Sequence, residues 1–525
     1  MDVGRTYCCL RRASALQKDR SKWNRVPVSG VMPFLIENIT AVVLALFILA
    51  LLGNLFLVGI VFFRRHRRRE FFRRVDAMRE RYGPVVAGII ASRIPYPKGL
   101  ETLRQISSPD RHSVLERLCL EKKPTPAEEP LMRRLCEDLG LVKIWQQRLM
   151  GQIDQASLRE ALINPQGLLR RVKFLHFLIR SKSAENLGLI RHEASWPLLV
   201  KVLEDPNPDI QVVAVRALAA THHPGSFLPL VEQLHKAVLD PASNLSVRTL
   251  KSALVSFPLE SARELQASLR HENPRIRFLS TDVIREMVER DATGNPDFCL
   301  DRKSLDDETA EMFLTDLPFD PNPDVRARSA PVIAYLADQR AASTLFTLLA
   351  DSVWFVRLHA ARAFARSRFL PDAAEVSNAL TDLNWRVRET LVRTLRSFGP
   401  PGLELLTAHF LSTQDQYSRE QIADEFQRAG LIPELMTRCA ETGNGRETAV
   451  LRHLAEMGKT SYMISVLENG KGRGELRQKF LQQFGQSPDP QIHEWVEHVA
   501  TQEPDFNVRA LARAALATAH ERGES

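Results

Sequence analysis

Apolar residues recur at helical intervals along most of this 525-residue chain, but one segment is apolar on every face. Residues 39–63 read ITAVVLALFILALLGNLFLVGIVFF, with no charged residue and only Thr40 and Asn54 polar. As a helix, this segment would be about 37 Å long, which exceeds a hydrocarbon core of about 30 Å. A core helix of a globular protein is rarely apolar on all faces over such a length. The pattern predicts a membrane helix over 34–63 that crosses the bilayer through 39–63.

Arginines follow the apolar segment directly and predict its orientation. Nine Lys or Arg residues lie between Arg64 and Arg81, against four between Lys18 and Arg25. Because the cytoplasmic flank of a membrane helix carries the excess of positive charge, we expect a single-pass inner-membrane protein with a cytoplasmic C-terminal body. The run Arg64–Arg74 is also expected to contact anionic lipid. A cleaved signal peptide is excluded, since the apolar region of a signal peptide has only about 7–15 residues and this segment is much longer.

The segments on either side of the membrane helix have no clean repeat. Residues 1–33 are polar and basic, and we interpret them as a leader that is disordered or not translated. Translation is expected to start at Met32, where MPFLIENIT leads into the apolar segment. Residues 64–99 form a basic juxtamembrane segment. Residues 100–184 carry helical stripes and are interpreted as degenerate helical repeats or as a cap.

A repeat becomes visible over residues 185–522. Three Asp residues, 31 residues apart, are each followed six residues later by an Arg. Gly399 and Gly430 stand where a helix C-terminal glycine is expected. Each unit divides into two short amphipathic helices, which cannot bury their apolar faces alone and must stack on neighbouring units. The Asp and Arg pairs are Asp320 with Arg326, Asp351 with Arg357, and Asp382 with Arg388.

These pairs, the short turn before Val-Arg and the Ala-rich second helices resemble HEAT repeats, especially the shorter bacterial variety related to phycobilin-lyase repeats. The resemblance implies an all-α fold, a right-handed α-solenoid of HEAT-like helix pairs, here preceded by a single transmembrane helix. It also implies that the paired Asp and Arg residues form a structural ladder and not a catalytic site. One departure is the interval of 49 residues between Arg277 and Arg326. Its excess, 289–308, is too polar and too marked by Gly and Pro for a helix, so we expect a loop there.

The charge is divided unevenly along the chain and argues against a nucleic-acid partner. The net charge is +8, but residues 1–99 carry 18 Lys or Arg and 6 Asp or Glu, whereas the remainder has 53 basic and 57 acidic residues. A nucleic-acid-binding protein concentrates positive charge on its folded region. The six cysteines have no CxxC spacing, which favours reduced thiols over a disulfide framework or a zinc site.

Catalytic motifs of the phosphate-loop, dinucleotide, nucleophile-elbow and zinc-helix types do not occur in the sequence. Four His-Glu dipeptides, beginning at residues 192, 271, 493 and 520, look like the iron ligands of deoxyhypusine hydroxylase, which is built of related repeats. Their intervals of 79, 222 and 27 residues do not form two matched pairs. We therefore predict no metal, no cofactor and no small-molecule substrate. An enzyme of the phycobilin lyase or metal-dependent hydroxylase type remains the alternative.

The second helices of HEAT solenoids tend to line the concave face, and here they carry basic residues close to repeat register. One interpretation is a solvated helix face. The other is a basic strip that receives an acidic segment of a partner protein. The sequence thus predicts a membrane-anchored, non-enzymatic scaffold or adaptor that binds a membrane-associated protein, for example a membrane enzyme complex. The predicted partner-binding residues are Arg328, His359, Arg362, Arg366, Arg386, Arg393 and Arg396.

Overall fold

The computed structural model describes residues 39–106, 111–120, 125–152, 171–295, 297–300, 304–367, 373–442, 445–469 and 474–523. The predicted leader 1–33, with Met32, and residues 34–38 lie outside these ranges. Within them the chain forms helices and no strand, apart from an isolated bridge between Leu300 and Leu336. The chain divides into two compact units, Met1–Ile144 with Gly151–Ile179, and Trp145–Met150 with Arg180–Ser525.

The helices are numbered here in chain order over the described residues. The N-terminal helices are α1 Ile39–Ile90, α2 Tyr96–Arg104, α3 Arg111–Leu120, α4 Glu129–Asp138, α5 Leu141–Leu149 and α6 Arg171–Leu189. They are followed by α7 Trp196–Val202, α8 Pro208–Thr221, α9 Phe227–Leu239, α10 Val247–Val255, α11 Gln266–Leu269, α12 Pro274–Ala292, α13 Asp307–Thr315 and α14 Pro323–Ile333. The last are α15 Arg340–Leu349, α16 Trp354–Phe364, α17 Ala373–Leu380, α18 Trp385–Ser397, α19 Pro400–Ser412, α20 Gln416–Arg428, α21 Leu431–Thr442, α22 Gly445–Glu456, α23 Thr460–Glu468, α24 Gly474–Phe484, α25 Pro490–Gln502 and α26 Phe506–Gly523.

The first unit contains α1, a helix of 52 residues that runs from the apolar segment through the arginines without interruption. Nearly all large apolar side chains between Val42 and Phe63 are exposed. Further along the same helix, Phe71, Val75 and Ile89 are buried, and α2 and α3 pack against α1. At the end of the predicted membrane segment the helix therefore continues, and its apolar side chains change from exposed to buried.

The apolar part of α1 is a candidate membrane span. It is long and apolar enough to cross a bilayer, and its most apolar stretch is not buried against any other described part of the chain. Exposing apolar surface to water is unfavourable by about 25 cal/mol per Å². An apolar environment around this part of the helix would remove that cost.

The second unit consists of successive helix pairs. The second helix of each pair packs beside the second helix of the next, in the order α8, α10, α12, α14, α16, α18 and α20. Small and aliphatic side chains such as Ala330, Ala360 and Leu391 are fully buried in this arrangement. Stacked helix pairs that contact mainly their neighbours define an α-solenoid. The prediction of an all-α solenoid is confirmed.

Polar caps and glycines fix the ends of these helices. Asn322 accepts a hydrogen bond from the Asp324 amide at the start of α14, and Asn384 does the same for the Arg386 amide at the start of α18. Such caps stabilise a helix start by about 1 kcal/mol. Gly399 and Gly430 follow the ends of α18 and α20 with φ of +70° and +71°, a conformation that favours glycine. The sequence prediction for these two glycines is confirmed.

The insertion in the repeat series differs in part from the prediction of a loop over 289–308. Helix α12 continues to Ala292, so the first residues of the insertion are helical. Glu289 is held one turn from Arg285 by an ion pair, which favours the helix in spite of the polar sequence. Gly294, with φ of +83°, follows the helix end. Residues 296 and 301–303 lie outside the described ranges.

Candidate partner-binding site

A groove of about 510 Å³ crosses α12, α14, α16 and α18 in the second unit. Because the second helices pack side by side, residues 31 positions apart, such as Arg362 and Arg393, lie on neighbouring helices of one face. Basic side chains dominate the lining. We call this set the arginine groove: Arg285, Arg328, His359, Arg362, Arg366 and Arg393.

The groove gathers most, but not all, of the residues predicted to bind a partner. Arg386 and Arg396 do not line it. Arg386 lies in the first turn of α18, where its guanidinium carbon is 5.5 Å from the centre of the Trp385 ring. Arg396 donates a hydrogen bond of 2.8 Å to Glu425 on α20. The seven predicted residues therefore do not form a single strip.

A buried carboxylate lies beside the groove and binds three cations. Asp282 on α12 pairs with Lys251, with Arg285 at 2.8 Å and with Arg328 at 3.4 Å. Burial alone would raise the pKa of Asp282, but the hydrogen bond from Lys251 and the two arginines outweigh it and hold the pKa below its ordinary value. The charges of Arg285 and Arg328 are thus partly compensated from within the protein.

Glu289 compensates the far side of the groove in the same way. It pairs with Arg285 and, at 3.2 Å, with Arg366. The Arg366 guanidinium also lies 5.8 Å from the centre of the Tyr335 ring. Arg366 is therefore held by a carboxylate and an aromatic face, although it is exposed to solvent.

Arg393 is shared between two carboxylates at the α20 end of the groove. It donates to Glu389 at 2.7 Å and lies 3.7 Å from the buried Glu425. Arg396 and Arg428 also contact Glu425, at 2.8 and 3.2 Å. This cluster sets two carboxylates against three arginines, so it leaves a net positive charge on this part of the surface.

Two members of the arginine groove have no such partner. Over the part of the chain that the structure describes, neither the exposed Arg362 nor the half-buried His359 makes a hydrogen bond or an ion pair. Burial and, after it, the charges of Arg328, Arg362 and Arg285 outweigh the opposing charge of Asp282 and lower the pKa of His359 to about 4. His359 is therefore neutral at pH 7. The groove thus offers a guanidinium and an imidazole N–H to an anion.

The predicted ladder residues lie at one edge of the solenoid: each Asp is in the turn before a second helix, and each Arg is in the first turn of that helix. Arg326 forms a two-point ion pair with Asp351, at 2.7 and 3.0 Å, and Arg357 does so with Asp382, at 2.5 and 2.9 Å. Arg326 also donates to the Asp320 carbonyl at 2.8 Å. Each Arg thus reaches the carbonyl of its own Asp and the carboxylate of the next one. Their architectural role stays a prediction, for which a test is given below.

Additional residues belong to this ladder and one predicted pair is incomplete. Arg277 binds Asp320 at 2.7 and 2.8 Å. Arg388, by contrast, donates only to the Asp382 carbonyl, and its buried Nε has no hydrogen-bond partner among the described residues. Thr413 occupies the position where the next Asp would lie. It keeps the turn hydrogen bond, from the Asp415 amide at 3.2 Å, but supplies no carboxylate.

The His-Glu dipeptides have local roles in the structure. His192 Nδ1 lies 2.7 Å from Ser195 Oγ, and His271 Nδ1 accepts a hydrogen bond of 2.9 Å from the Asn273 amide. The side chain of His520 is outside the described part. Among the residues that were placed, no group of three His, Cys, Asp or Glu side chains is arranged to hold a metal ion.

Sequence reasoning missed the residues that compensate the groove. Arg285 precedes Arg328 by 43 positions, whereas the ladder interval across the insertion is 49, so Arg285 does not follow the repeat register. Asp282 and Glu425 show no sequence signal beyond being single acids on apolar helix faces. That signal could have been used, since a buried acid needs a cation close by. The chain therefore contains both the cations of the groove and most of their counter-charges.

Comparison with known families agrees with this architecture. The family model of HEAT repeats matches residues 313–382, which include α14 and α16. The chain is an α-helical solenoid, and its residues 313–382 match HEAT repeats. No curated protein matches the sequence.

Solved structures of other helical solenoids align with long parts of the chain at low similarity. Kap95p in complex with RanGDP is 11% identical, with 83% of this chain and 60% of that chain covered and a TM-score of 0.35. The Pds5–Scc1 complex is 13% identical, with 86% and 81% covered and a TM-score of 0.29. Human deoxyhypusine hydroxylase is 14% identical, with 54% and 96% covered and a TM-score of 0.20. At these scores the likenesses carry no argument about the function of this chain.

Proposed function

We propose that the protein is a non-enzymatic scaffold, anchored in a membrane by α1, whose arginine groove binds an acidic segment of a membrane-associated protein. The observation that carries this proposal is the pair of unpartnered groups, Arg362 and His359, between arginines that already have carboxylates. Elsewhere along the same face, Asp282, Glu289 and Glu425 each pair with an arginine, and a ligand carboxylate would supply the same kind of partner to Arg362. Electrostatic complementarity of this kind sets specificity and association rate.

The membrane anchor is supported by the exposure of the apolar half of α1. The arginines from Arg64 onward follow this half in the same helix, as expected for the cytoplasmic flank of a membrane span. Arg64–Arg74 would then lie at the level of anionic headgroups. Anchoring at the cytoplasmic face of the inner membrane raises the effective concentration of the groove toward membrane partners, so weak contacts suffice.

The anchor is tested on native membranes. We expect the protein to resist extraction at alkaline pH, and added protease to digest residues after Arg81 only when the cytoplasmic side is accessible. Release into the supernatant at alkaline pH would contradict the anchor. Digestion from the opposite side would contradict the orientation.

Binding to the groove is tested with the full chain in lipid nanodiscs and a fluorescent glutamate-rich peptide as the probe. Arg362→Glu should weaken peptide binding about tenfold or more, which corresponds to about 1.4 kcal/mol. The matched control is Arg452→Glu on α22, which makes the same charge change at an exposed residue outside the groove. Equal effects of the two substitutions would reject the groove as the binding site.

The same preparation separates the scaffold from the enzyme alternative. A phycobilin lyase or metal-dependent hydroxylase would carry a bilin or iron, and either is visible by absorption spectroscopy or metal analysis. We expect neither at stoichiometric level in protein purified from its native membrane. Stoichiometric iron or a bilin chromophore would overturn the scaffold assignment.

A further inference from the structure

Large apolar and aromatic side chains project from the same edge of three successive repeats, away from the arginine groove. Trp354 and Trp385 are each the first residue of a second helix, three positions after a ladder Asp. Leu383, in the turn before α18, is 99% exposed, Trp385 is 54% exposed, and Tyr417 in the first turn of α20 is 69% exposed. We call these four residues the aromatic edge. None of them lines the groove.

Three of these four side chains have a ring or cation contact within the solenoid. Arg386 lies 5.5 Å from the centre of the Trp385 ring, and Arg388 lies 5.8 Å from the centre of the Tyr417 ring. Trp354 meets Phe355 edge to face at 6.1 Å between ring centres. The edge is therefore presented on the turns of a packed solenoid, and ordering it on binding needs little loss of conformational entropy.

The charge of the aromatic edge is positive. Three carboxylates lie in its turns: Asp351 and Asp382 are engaged by the ladder arginines Arg326 and Arg357, and Asp415 caps α20 by accepting a hydrogen bond from the Ser418 amide. Arg386 is exposed beside Trp385 and forms no ion pair with a described residue. An anionic surface would thus meet a free guanidinium and no free ladder carboxylate.

The composition and shape of this edge fit a lipid headgroup layer. Trp and Tyr concentrate at membrane interfaces, where an apolar ring and a polar atom are both accommodated, and Arg binds anionic headgroups there. A leucine exposed at a turn protrudes from the surface, and a deformable layer can receive it without a preformed pocket. Large exposed apolar groups that recur along one edge at the repeat interval are a candidate interaction surface.

We infer that the aromatic edge of Trp354, Leu383, Trp385 and Tyr417 docks on the surface of an anionic bilayer. This inference rests on the proposed anchoring by α1, which keeps the chain at a membrane. The edge contacts lipid directly and is separate from the arginine groove, so the solenoid can dock on the membrane and bind a protein partner at the same time.

The test uses the full chain reconstituted in vesicles whose phosphatidylcholine and phosphatidylglycerol carry brominated acyl chains, which quench nearby tryptophan. The emission of Trp354 and Trp385 is isolated as the difference between the wild type and the double variant Trp354→Phe, Trp385→Phe. We expect bromination to reduce this difference emission about twofold or more, because interfacial tryptophans lie next to the acyl chains. Vesicles of phosphatidylcholine alone should give weaker quenching.

A second substitution separates docking from general proximity to the vesicle. Leu383→Asp places a negative charge at the centre of the edge and should relieve most of the quenching. The control is Leu228→Asp, at an exposed leucine near the start of α9, at the other end of the helix pairs. It should leave the quenching unchanged. Circular dichroism of each variant confirms that the helices are retained.

The outcomes are distinct. Vesicle-bound protein with unquenched tryptophans rejects the aromatic edge as a lipid surface and leaves the anchor standing. Protein that does not float with vesicles rejects both the anchor and the edge. A third outcome is that bromine does not quench the two tryptophans, but their protection from aqueous iodide increases with protein density. This outcome assigns the edge to a second copy of the chain and overturns the lipid proposal.

Discussion

The ladder and the arginine groove use the same residue type at the same 31-residue interval, yet their arginines have different surroundings. Arg326 and Arg357 in the ladder are mostly buried, and each binds a carboxylate at two points and a backbone carbonyl at a third. Arg362 in the groove is exposed and has no ion-pair partner among the described residues. A repeated arginine is therefore no guide to function until its partner is known.

Position along the second helix accounts for the difference. Ladder arginines lie in the first turn of α14 and α16, next to the Asp in the interhelical turn of the following repeat. Arg362 lies at the other end of α16, where the neighbouring helices present Pro331 and Arg393 at the equivalent positions. The ladder thus neutralises its cations inside the fold, whereas part of the positive charge in the groove has no counter-charge among the described residues.

Removing a ladder carboxylate should have the largest effect on stability. Asp351→Ala leaves Arg326 without its ion pair and removes the bond to the Val353 amide, so we expect a loss of about 3 kcal/mol in the free energy of unfolding. Urea unfolding of the full chain in detergent, followed by circular dichroism, measures it. Asp324→Ala, at an exposed acid in α14, is the control and should lose less than about 0.5 kcal/mol. Similar losses in both variants would show that the ladder is not structural.

Acid should affect the groove and the ladder in two separate pH ranges. The pKa of His359 is lowered by burial to about 4 in the folded chain, so the unfolded chain binds its proton first. The neutral state of His359 therefore contributes its full stabilisation above the ordinary His pKa of about 6.5. This stabilisation is lost as the pH falls from about 6.5 to about 4. His359→Gln should flatten the pH dependence of the urea midpoint in that range. An unchanged slope in this variant would contradict the assignment.

The ladder should respond only at lower pH. Burial would raise the pKa of Asp351, but hydrogen bonds from Arg326 and the Val353 amide outweigh it and keep the pKa below the ordinary value. Stability from this pair is therefore complete above about pH 3.9 and is lost as the pH falls below that value. In Asp351→Ala the loss below pH 4 should be smaller than in the wild type. A loss as steep as that of the wild type would show that other carboxylates dominate.

Completing the ladder should produce a smaller, stabilising change. Thr413→Asp places a carboxylate where Arg388 now lacks one, and the new side chain can keep the hydrogen bond from the Asp415 amide. We expect a gain of about 1 kcal/mol in the free energy of unfolding, measured by urea. The control Thr413→Asn keeps the hydrogen bond without the charge. If both variants gain the same free energy of unfolding, the ion pair with Arg388 is not the cause of the gain.

The smallest effect is expected for the groove. Arg362→Ala should change the free energy of unfolding by less than about 0.5 kcal/mol, because this side chain forms no ion pair within the described chain. The same variant should weaken binding of the glutamate-rich peptide. A loss of stability close to that of Asp351→Ala would place Arg362 among the structural arginines.

The sequence predicts the fold well because its signals are local. The 31-residue interval, the apolar stripes and the glycines at 399 and 430 each reflect one helix or one turn, and the helix pairs follow from them. The partner of each ladder arginine could not be read in this way. Asp320 and Arg326 are close in sequence, but the Arg326 guanidinium binds the carboxylate of Asp351, which only stacking brings near.

The arginine groove is harder to predict for a related reason. Its charge depends on which acids reach it across helices, and Asp282, Glu289 and Glu425 do not belong to the repeated Asp and Arg pattern. Arg386 and Arg396 fit the sequence pattern as well as Arg362 does, yet one stacks on Trp385 and the other binds Glu425. Helical periodicity gives the face on which a residue lies, and it does not give the counter-charge.

The uninterrupted course of α1 has a mechanical consequence. Phe63, the last residue of the exposed apolar segment, is eight positions before the buried Phe71, a distance of about 12 Å along a helix axis. With no flexible hinge between them, a rotation or tilt of the apolar half turns the packed half by the same angle. If α1 spans a bilayer as proposed, its apolar helix of about 37 Å adapts to bilayers of different thickness by tilting, and the first unit would incline as the bilayer thins.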